Sequence, residues 1–399
     1  MKLRRATWVV ALLSSTLGCT KAQIVDFTMS SARHQTTGLG PVGPYQLLAG
    51  DMHCHVLPPD APYHVSRELP ETLELAQREG LDFVVLTPHV NARFFLDRDR
   101  REWVLRTQRE LRARVAALPA SNVVVIPGME YTDYLHGHVG LGFADIERVL
   151  DRVSVEAAME RPELFFEAWR DEGGTATINH PFLTPLPNAP IAELHYDLSW
   201  RAFHEPVHPG MREIHWLTAN ADSIETWNES IGHVRDRWFV GDPDWEMRQA
   251  SHLVDRLSRE EMRRIAPVGG SDSHGGWLRP TTWVLAKTKS ADGIRVAIRS
   301  ARTCARAPEP CTLEARGDGD WANIGDVITT GPEHRVEARA KGLASYFLNG
   351  ALVAKSEAPV QLATSGRCST LRVEINDGSS APIYVDCPGI TGPPFSSAR

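Results

Sequence analysis

The apolar positions of this chain fall into two regimes that divide near residue 305. Before that point, short apolar runs alternate with longer amphipathic stretches. Residues 45–52, 82–87, 123–126, 139–143, 175–178, 223–227, 266–269 and 281–286 read as strands, being short runs rich in β-branched residues. Residues 68–79 place Leu69, Leu73, Leu75 and Ala76 at helical spacing, with Gly80 as the stop. Residues 97–118 read as a long charged helix whose buried stripe carries Trp103, Leu111 and Val115. Residues 156–172, 245–264 and 291–300 read as further helices. Residues 191–216 look irregular and rich in His, Pro and Trp, as long loops over functional sites often are.

Strand–helix alternation with polar residues at the strand ends predicts an α/β barrel, whose active face lies at the carboxyl ends of its strands. After residue 305 the pattern changes to short β-rich runs at 312–315, 335–340, 344–348, 370–376 and 383–386. These alternate with turns such as Asn349-Gly350 and Asp377-Gly378. That is the pattern of a small β-sandwich of about 75–85 residues. It carries no cluster of acids, bases or metal ligands, so its expected role is support or contact with a substrate loop. The expected organisation is an export signal at 1–22, a flexible tether at 23–44, a barrel at 45–305 and a β-sandwich at 306–399.

Composition narrows the class. The chain has 399 residues, 42% hydrophobic and 23% charged, as expected of a globular protein with a sizeable core. Its net charge is −7, without long Lys/Arg runs, which argues against a nucleic-acid partner because phosphate neutralisation needs clustered cations. Lys2, Arg4 and Arg5 precede a short apolar stretch from Ala6 to Leu17, too short to span a bilayer as a mature helix. Leu17-Gly18-Cys19-Thr20 resembles a bacterial lipoprotein processing site, with cleavage near Ala22 as the alternative. The expectation is an exported periplasmic or envelope protein that touches the membrane only through a lipid anchor on Cys19. In an exported chain the remaining cysteines suggest the disulfides 304–311 and 368–387. Cys54 is left as a buried, inert thiol.

The candidate chemistry sits at the strand ends. His53 and His55 occupy alternate positions of one strand, so both imidazoles point to one face and can reach one metal ion. The same kind of cluster recurs as Thr87-Pro88-His89, Gly128-Met129-Glu130, His136-Gly137-His138, Asn179-His180-Pro181 and Gly270-Ser271-Asp272-Ser273-His274. Imidazoles and carboxylates suit Zn, Mn or Fe. Glu225 and Asn228 read as packing or supporting residues. Arg93, Arg279 and Arg302 are candidate anion binders.

Taken as an ordered set over residues 45–305, these motifs resemble the PHP superfamily, named for polymerase and histidinol phosphatase. Ile224-Glu225-Thr226-Trp227-Asn228, the export signal and the appended β region look most like the branch that includes the CehA and McbA carbaryl hydrolases. The resemblance implies a distorted (β/α)7 barrel with two or three divalent metals. It assigns His53, His55, Glu130 and Asp272 to one ion, and has Glu130 bridge to a second held by His138 and His180. A third would be completed by His89 and His274 with Asp60. Glu130, Asp272 and His180 are the residues it gives to catalysis. Two departures stand out: Thr-Pro-His at 87–89 in place of Thr-Asp-His, and Pro-Asp-Ala at 59–61 in place of Ser-Asp-Gly, with His64 nearby as a substitute. The implied activity is hydrolysis of a small-molecule phosphoester, with a carbamate, ester or amide as the alternative substrate. A non-catalytic envelope binding protein is the alternative of a different class.

Overall fold

The computed structural model describes residues 41–183, 199–230, 232, 243–279, 281–306, 310–376 and 378–390. The segment expected to be an export signal, Cys19, His195, His233 and Trp238 lie outside the described residues. Among those described, no helix is long and apolar enough to cross a membrane.

Strand β1 (Gln46–Cys54) is buried from Leu48 onward and runs parallel to β2 (Phe83–Leu86). Gly50 permits this pairing, because a Cβ there would lie 2.3 Å from the Phe83 ring. A short β3 (His89–Asn91) and β4 (Val124–Asp133) follow, and β4 is parallel to both β2 and β3. Next, β5 (Gly137–Gly142) is antiparallel to β4 and to β6 (Thr175–Ile178). Parallel pairing resumes through β7 (Ser223–Asn228) and β8 (Ala266–Gly270). On the other side of β1, β9 (Thr282–Ala286) and β10 (Thr303–Ala305) are antiparallel.

The carboxyl ends of β1 and β8 also meet. Asp272 N donates to His53 O at 2.7 Å and His55 N donates to Ser273 O at 3.1 Å. The result is a mixed α/β fold built on a parallel-rich sheet, with two antiparallel interruptions that the expected strand–helix alternation did not contain.

The helices pack outside this sheet. Helix α1 (Leu69–Arg78) begins where the Glu71 carboxylate accepts from Glu68 N at 3.0 Å, and Gly80 follows it at φ 73°. Helix α2 (Arg98–Ala116) is capped by Asp97. Its buried residues are Val104, Gln108 and Leu111, and Val115 packs half-buried beside them; of the predicted stripe only Trp103, 41% exposed, turns outward, and Val104 takes its place. The helix expected at 156–172 is two helices. After α3 (Ile146–Arg152), α4 (Val155–Glu160) stops before Pro162, and α5 (Glu163–Asp171) starts after it. The stretch expected to be irregular contains α6 (Arg212–Asn220). Helices α7 (Pro243–Glu260) and α8 (Ala291–Arg299) fall where periodicity placed them.

The C-terminal strands divide between two sheets. Strands β11 (Leu313–Arg316), β12 (Ala322–Asn323), β14 (Arg335–Ala340) and β17 (Val360–Ala363) form a four-stranded sheet. The others continue the main sheet through the β10–β19 pairing: β13 (Val327–Ile328), β15 (Ala344–Leu348), β16 (Ala351–Ser356), β18 (Ser369–Ile375), β19 (Gly378–Ser380) and β20 (Ile383–Val385). Leu313, Val336 and Leu362 from the small sheet share one apolar core with Tyr346, Val373 and Ile383, and with Leu48 and Val268 of the main sheet. The C-terminal region is therefore fused to the preceding sheet and its core. Disulfides join Cys304 to Cys311 and Cys368 to Cys387, and Cys54 is free and buried.

One ion pair links α7 to this region. Arg372 Nε donates to Asp255 Oδ2 at 2.7 Å, with both side chains at most 2% exposed. Arg372 Nη1 also donates to Glu374 Oε1 at 2.7 Å, so removing Asp255 leaves the buried guanidinium with that more exposed partner alone. Asp255→Ala is expected to destabilise the fold by about 3 kcal/mol. The double change Asp255→Leu with Arg372→Met should recover most of that loss. Urea unfolding checks both, and equal losses in the single and double variants would refute the argument.

Candidate metal centre

Three groups of ligating side chains converge at the strand ends: His53 with His55 and Asp272, His55 with His89 and His274, and Glu130 with His138 and His180. Within each group the ligating atoms lie within 4.8 Å of one another. Backbone pairing sets much of this. His89 on β3 is in register with Glu130 on β4, and His138 on β5 is opposite Thr132, two residues beyond Glu130 on the same face. The contacts between the ends of β1 and β8 bring His53 and His55 to Asp272 and His274.

The first group is a near-equilateral triangle. His53 Nε2 lies 3.2 Å from His55 Nε2 and 3.5 Å from Asp272 Oδ1, and His55 Nε2 lies 3.2 Å from the same oxygen. Such a triangle contains a point roughly 2 Å from all three atoms, which matches zinc–ligand distances of about 2.0–2.2 Å. Glu130 ties the groups together. Its Oε1 is 3.1 Å from His53 Nε2, 3.2 Å from His138 Nδ1 and 3.8 Å from His180 Nε2, and its Oε2 is 3.6 Å from His89 Nε2. His138 Nε2 is buried without a hydrogen-bond partner.

Further acids and amides orient this set. Glu225 Oε1 lies 3.1 Å from His53 Nδ1, and its Oε2 accepts from His180 N at 2.8 Å. Asp60 uses one oxygen for His55 Nδ1 at 3.1 Å and the other for His89 Nδ1 at 2.8 Å. It belongs to none of the three groups. A carboxylate on Nδ1 fixes the tautomer and leaves Nε2 for a metal, so Asp60 supports two ligands. Asn179 Nδ2 donates to Glu130 Oε1 at 2.9 Å, and Asn228 Nδ2 donates to Asp272 Oδ2 at 3.2 Å. The ring of His64 stands edge-on to His89, with centroids 5.4 Å apart. His136 pairs with Asp133 outside the three groups.

The pKa directions agree with this picture. Burial disfavours a charged His53, yet Asp272, Glu130 and Glu225 outweigh it and lift its pKa well above the imidazole range. Burial likewise opposes charge on His55, and its bonds to Asp272 and Asp60 still raise it to about 9. Burial favours a neutral Glu130, but His138 and His53 hold it well below the carboxylate range. Against the same burial, His53 and His55 do so for Asp272, and His89 and His55 for Asp60. The acids thus stay ionised and demand positive charge. A divalent cation supplies that charge while taking imidazoles in their neutral form. The donor set, with no cysteine in it, fits Zn, Mn or Fe. The three groups are thus suited to holding divalent cations.

Two site residues hold unusual backbone conformations, His180 at φ 29° and Asp272 at φ 49°. The open side of the site is marked by His89 and Asp272, whose side chains are 20% and 15% exposed.

No protein-family model and no curated protein matches this sequence. Solved structures do. One is a two-domain protein containing a predicted PHP-like metal-dependent phosphoesterase from Bacteroides vulgatus, at 17% identity and TM-score 0.43, covering 89% of this chain and 99% of that one. Another is the lesion-specific endonuclease PfuEndoQ from Pyrococcus furiosus, at 13% identity and TM-score 0.35, covering 75% and 62%. A third is endonuclease Q in complex with a 27-mer duplex bearing an abasic lesion, at 14% identity and TM-score 0.36, covering 64% and 57%. The first of these neighbours contains a PHP-like domain, as the ordered motifs led one to expect. The narrower likeness to CehA and McbA has no support in these structures, and none of them carries a residue's role across.

The endonuclease Q complex corrects the expectation that excluded nucleic acid. Net charge is a sum over the whole chain, whereas a phosphate backbone meets only the surface near a site. Divalent cations held by the three groups would add positive charge there that a count of Lys and Arg omits.

Two measurements probe the site. A Cβ on Gly270 would lie 2.2 Å from Glu225 Oε1 and 2.3 Å from His53 Cβ. Gly270→Ala is therefore expected to weaken metal affinity by about 10–100-fold, the usual effect of disturbing a ligand's support; competition with a chelating dye reads this, and unchanged affinity would refute it. Burial pushes the Cys54 thiol up to about 12 despite the nearby Arg67. At pH 8.5 the native thiol stays protonated, so iodoacetamide should label the Cys54 peptide only after denaturation, as read by mass spectrometry.

Proposed function

We propose that this protein is a metal-dependent phosphoesterase. The observation that carries the reading is Glu130, a buried carboxylate in reach of histidines from all three donor groups. Several cations around one carboxylate suit a substrate whose transition state concentrates negative charge on phosphoryl oxygens. When bound, the cations would supply a water acidified towards pKa ~7 and a grip on the oxygen that gains charge.

The chain's own residues then have separable tasks. His53, His55, His89, His138, His180, His274, Glu130 and Asp272 would hold the ions. Glu225 and Asp60 keep three of those imidazoles in one tautomer. Asn179 and Asn228 fix the carboxylates of Glu130 and Asp272. Asp272, on the more open side, is placed to orient the attacking water. The scaffold supporting this chemistry is read as a (β/α)7-type barrel with an appended β-sandwich. Phosphodiesters of nucleic acid belong to the substrate class under test, since one similar structure holds a DNA duplex.

A second reading, hydrolysis of a neutral ester or carbamate, draws on the walls of the site. Arg93 and Arg279 are each committed to an acid, Glu213 and Glu229, and Arg302 lies beside the start of β1, away from the donor groups, paired with Asp326. A small cavity beside His180, Glu225 and Asn228 is lined by Phe182, Leu183, Trp227 and Met247.

Elemental analysis of protein purified without chelators is expected to find two or three divalent ions per chain. The turnover panel is para-nitrophenyl phosphate, its bis-ester, an oligonucleotide with an abasic site and a naphthyl carbamate. Phosphoester turnover, lowered more than about 100-fold by His53→Ala or by chelation, supports the first reading. Carbamate turnover alone moves the assignment to the second. Fewer than one ion per chain, not restored by added metal, overturns both.

A further inference from the structure

Arg67 is 1% exposed, and all six of its hydrogen-bond partners are neutral groups. Its Nε donates to Thr72 Oγ1 at 2.9 Å on α1. Its Nη2 donates to His55 O at 3.1 Å and to Cys54 Sγ at 3.0 Å. Its Nη1 donates to Ser273 Oγ at 3.0 Å, to Trp277 O at 2.9 Å and to Gly275 O. The guanidinium thus holds the chain at His55 and the chain on both sides of His274, more than 200 residues away. The backbone reinforces this, since Ser66 N donates to His274 O at 2.9 Å and Leu57 N donates to Arg67 O at 2.9 Å.

We propose that Arg67 is the positioning residue of the His55–His89–His274 subsite, and that the cation held there depends on it. The inference rests on the metal-dependent reading of the site. The rings of His55 and His274 stack with centroids 4.0 Å apart, and those of His55 and His89 4.1 Å apart. His274 follows the last residue of β8 by four positions, in a loop beyond the strand's own ladder. A planar five-donor fork can bridge two chain segments at once, which the point-like ammonium of lysine cannot do.

The Glu130–His138–His180 group is built differently. Ladder pairing along β4, β5 and β6, the Asn179 N to His138 O bond at 3.0 Å and the Asn179 side chain hold it, and Arg67 touches none of it. The two subsites should therefore respond differently to a change at position 67.

The test compares wild type, Arg67→Lys, His89→Ala and the double variant. Each is loaded with Zn²⁺, dialysed, and measured for ions per chain by elemental analysis, for affinity by chelator competition and for thermal unfolding. Arg67→Lys is expected to lose the same single ion as His89→Ala, or to bind it about 10–100-fold more weakly. The ion of the Glu130–His138–His180 group should keep wild-type affinity in every variant. Full loading of Arg67→Lys at wild-type affinity overturns the inference, as does loss of the Glu130–His138–His180 ion in Arg67→Lys or the double variant. If Arg67→Lys does not fold, Ser273→Ala removes one contact of the clamp and leaves the guanidinium in place. It should then weaken the same ion selectively, and unchanged affinity overturns the inference. A wild-type chain that takes up no divalent ion overturns the metal reading itself, whereas full loading of both wild type and Arg67→Lys overturns only the role of Arg67.

Discussion

The site depends on one seam, where the end of β1 meets the end of β8. Asp51 closes it. Its fully buried Oδ1 accepts from His53 N at 3.0 Å and from Ser271 N at 2.9 Å, so one carboxylate oxygen joins positions 220 residues apart. Burial raises its pKa to about 6 against the bonds donated to it. With the seam in place, backbone geometry fixes His53 and His55 relative to Asp272 and His274, and no long flexible side chain has to search for its partner. Ligands on well-held backbone lose little conformational freedom when a metal binds. Gly270 belongs to the same seam, since only a residue without a Cβ lets Glu225 and His53 approach each other.

The other half of the site is organised by β4. The strand runs on through Glu130 to Asp133, so Glu130 is held by ladder bonds on both sides. The two antiparallel pairings of β5 matter here. They return the chain directly alongside β4, which sets His138 next to Glu130 within eight residues of sequence, and they present β6 to β5 so that Asn179 reaches Glu130 Oε1. The ionised acids at the centre explain why so many histidines gather round them. In a buried setting each carboxylate must be matched by positive charge, and here the ligands and the charge balance are the same set of atoms.

Much of this was legible in the sequence. The His53–His55 pair follows from the two-residue period of a strand, and the remaining clusters were visible because each stands where an apolar run ends. Cysteine spacing suggested both disulfides that the structure contains. What stayed hidden involves reach across the fold. The family resemblance made Asp60 a ligand of a third ion, whereas both its oxygens here serve the Nδ1 atoms of His55 and His89. Glu225 and Asn228 read as packing or supporting residues, and the structure shows which ligands they support: His53, His180 and Asp272. Arg67 gave no signal, because its partners are backbone carbonyls, hydroxyls and a thiol scattered from Cys54 to Trp277. Trp103 misled through its size: hydrophobicity favoured burying it, while the helix rotation that buries Val104 and Leu111 turns it outward. The charge argument against nucleic acid erred by treating a whole-chain sum as a local property.

The C-terminal strands look remote from the chemistry in sequence, but their attachment runs through the walls of the site. Helix α7 contributes Met247 and Ala250 to the cavity beside His180, and two turns further along the same helix Asp255 holds Arg372 of β18. Arg306, just past β10, lies 3.8 Å from the Trp227 ring centroid and 3.8 Å from Met247 Sδ, so the junction between the two regions rests on two residues of that cavity. Trp227 in turn donates to Glu229, which pairs with Arg279. A helix fastened at its far end by a buried ion pair and braced near the cavity by a stacked arginine has little freedom to move away from the site. Among the described residues the β region thereby contributes to the shape of the cavity without supplying a ligand, in keeping with a sequence whose acids are scattered and not clustered.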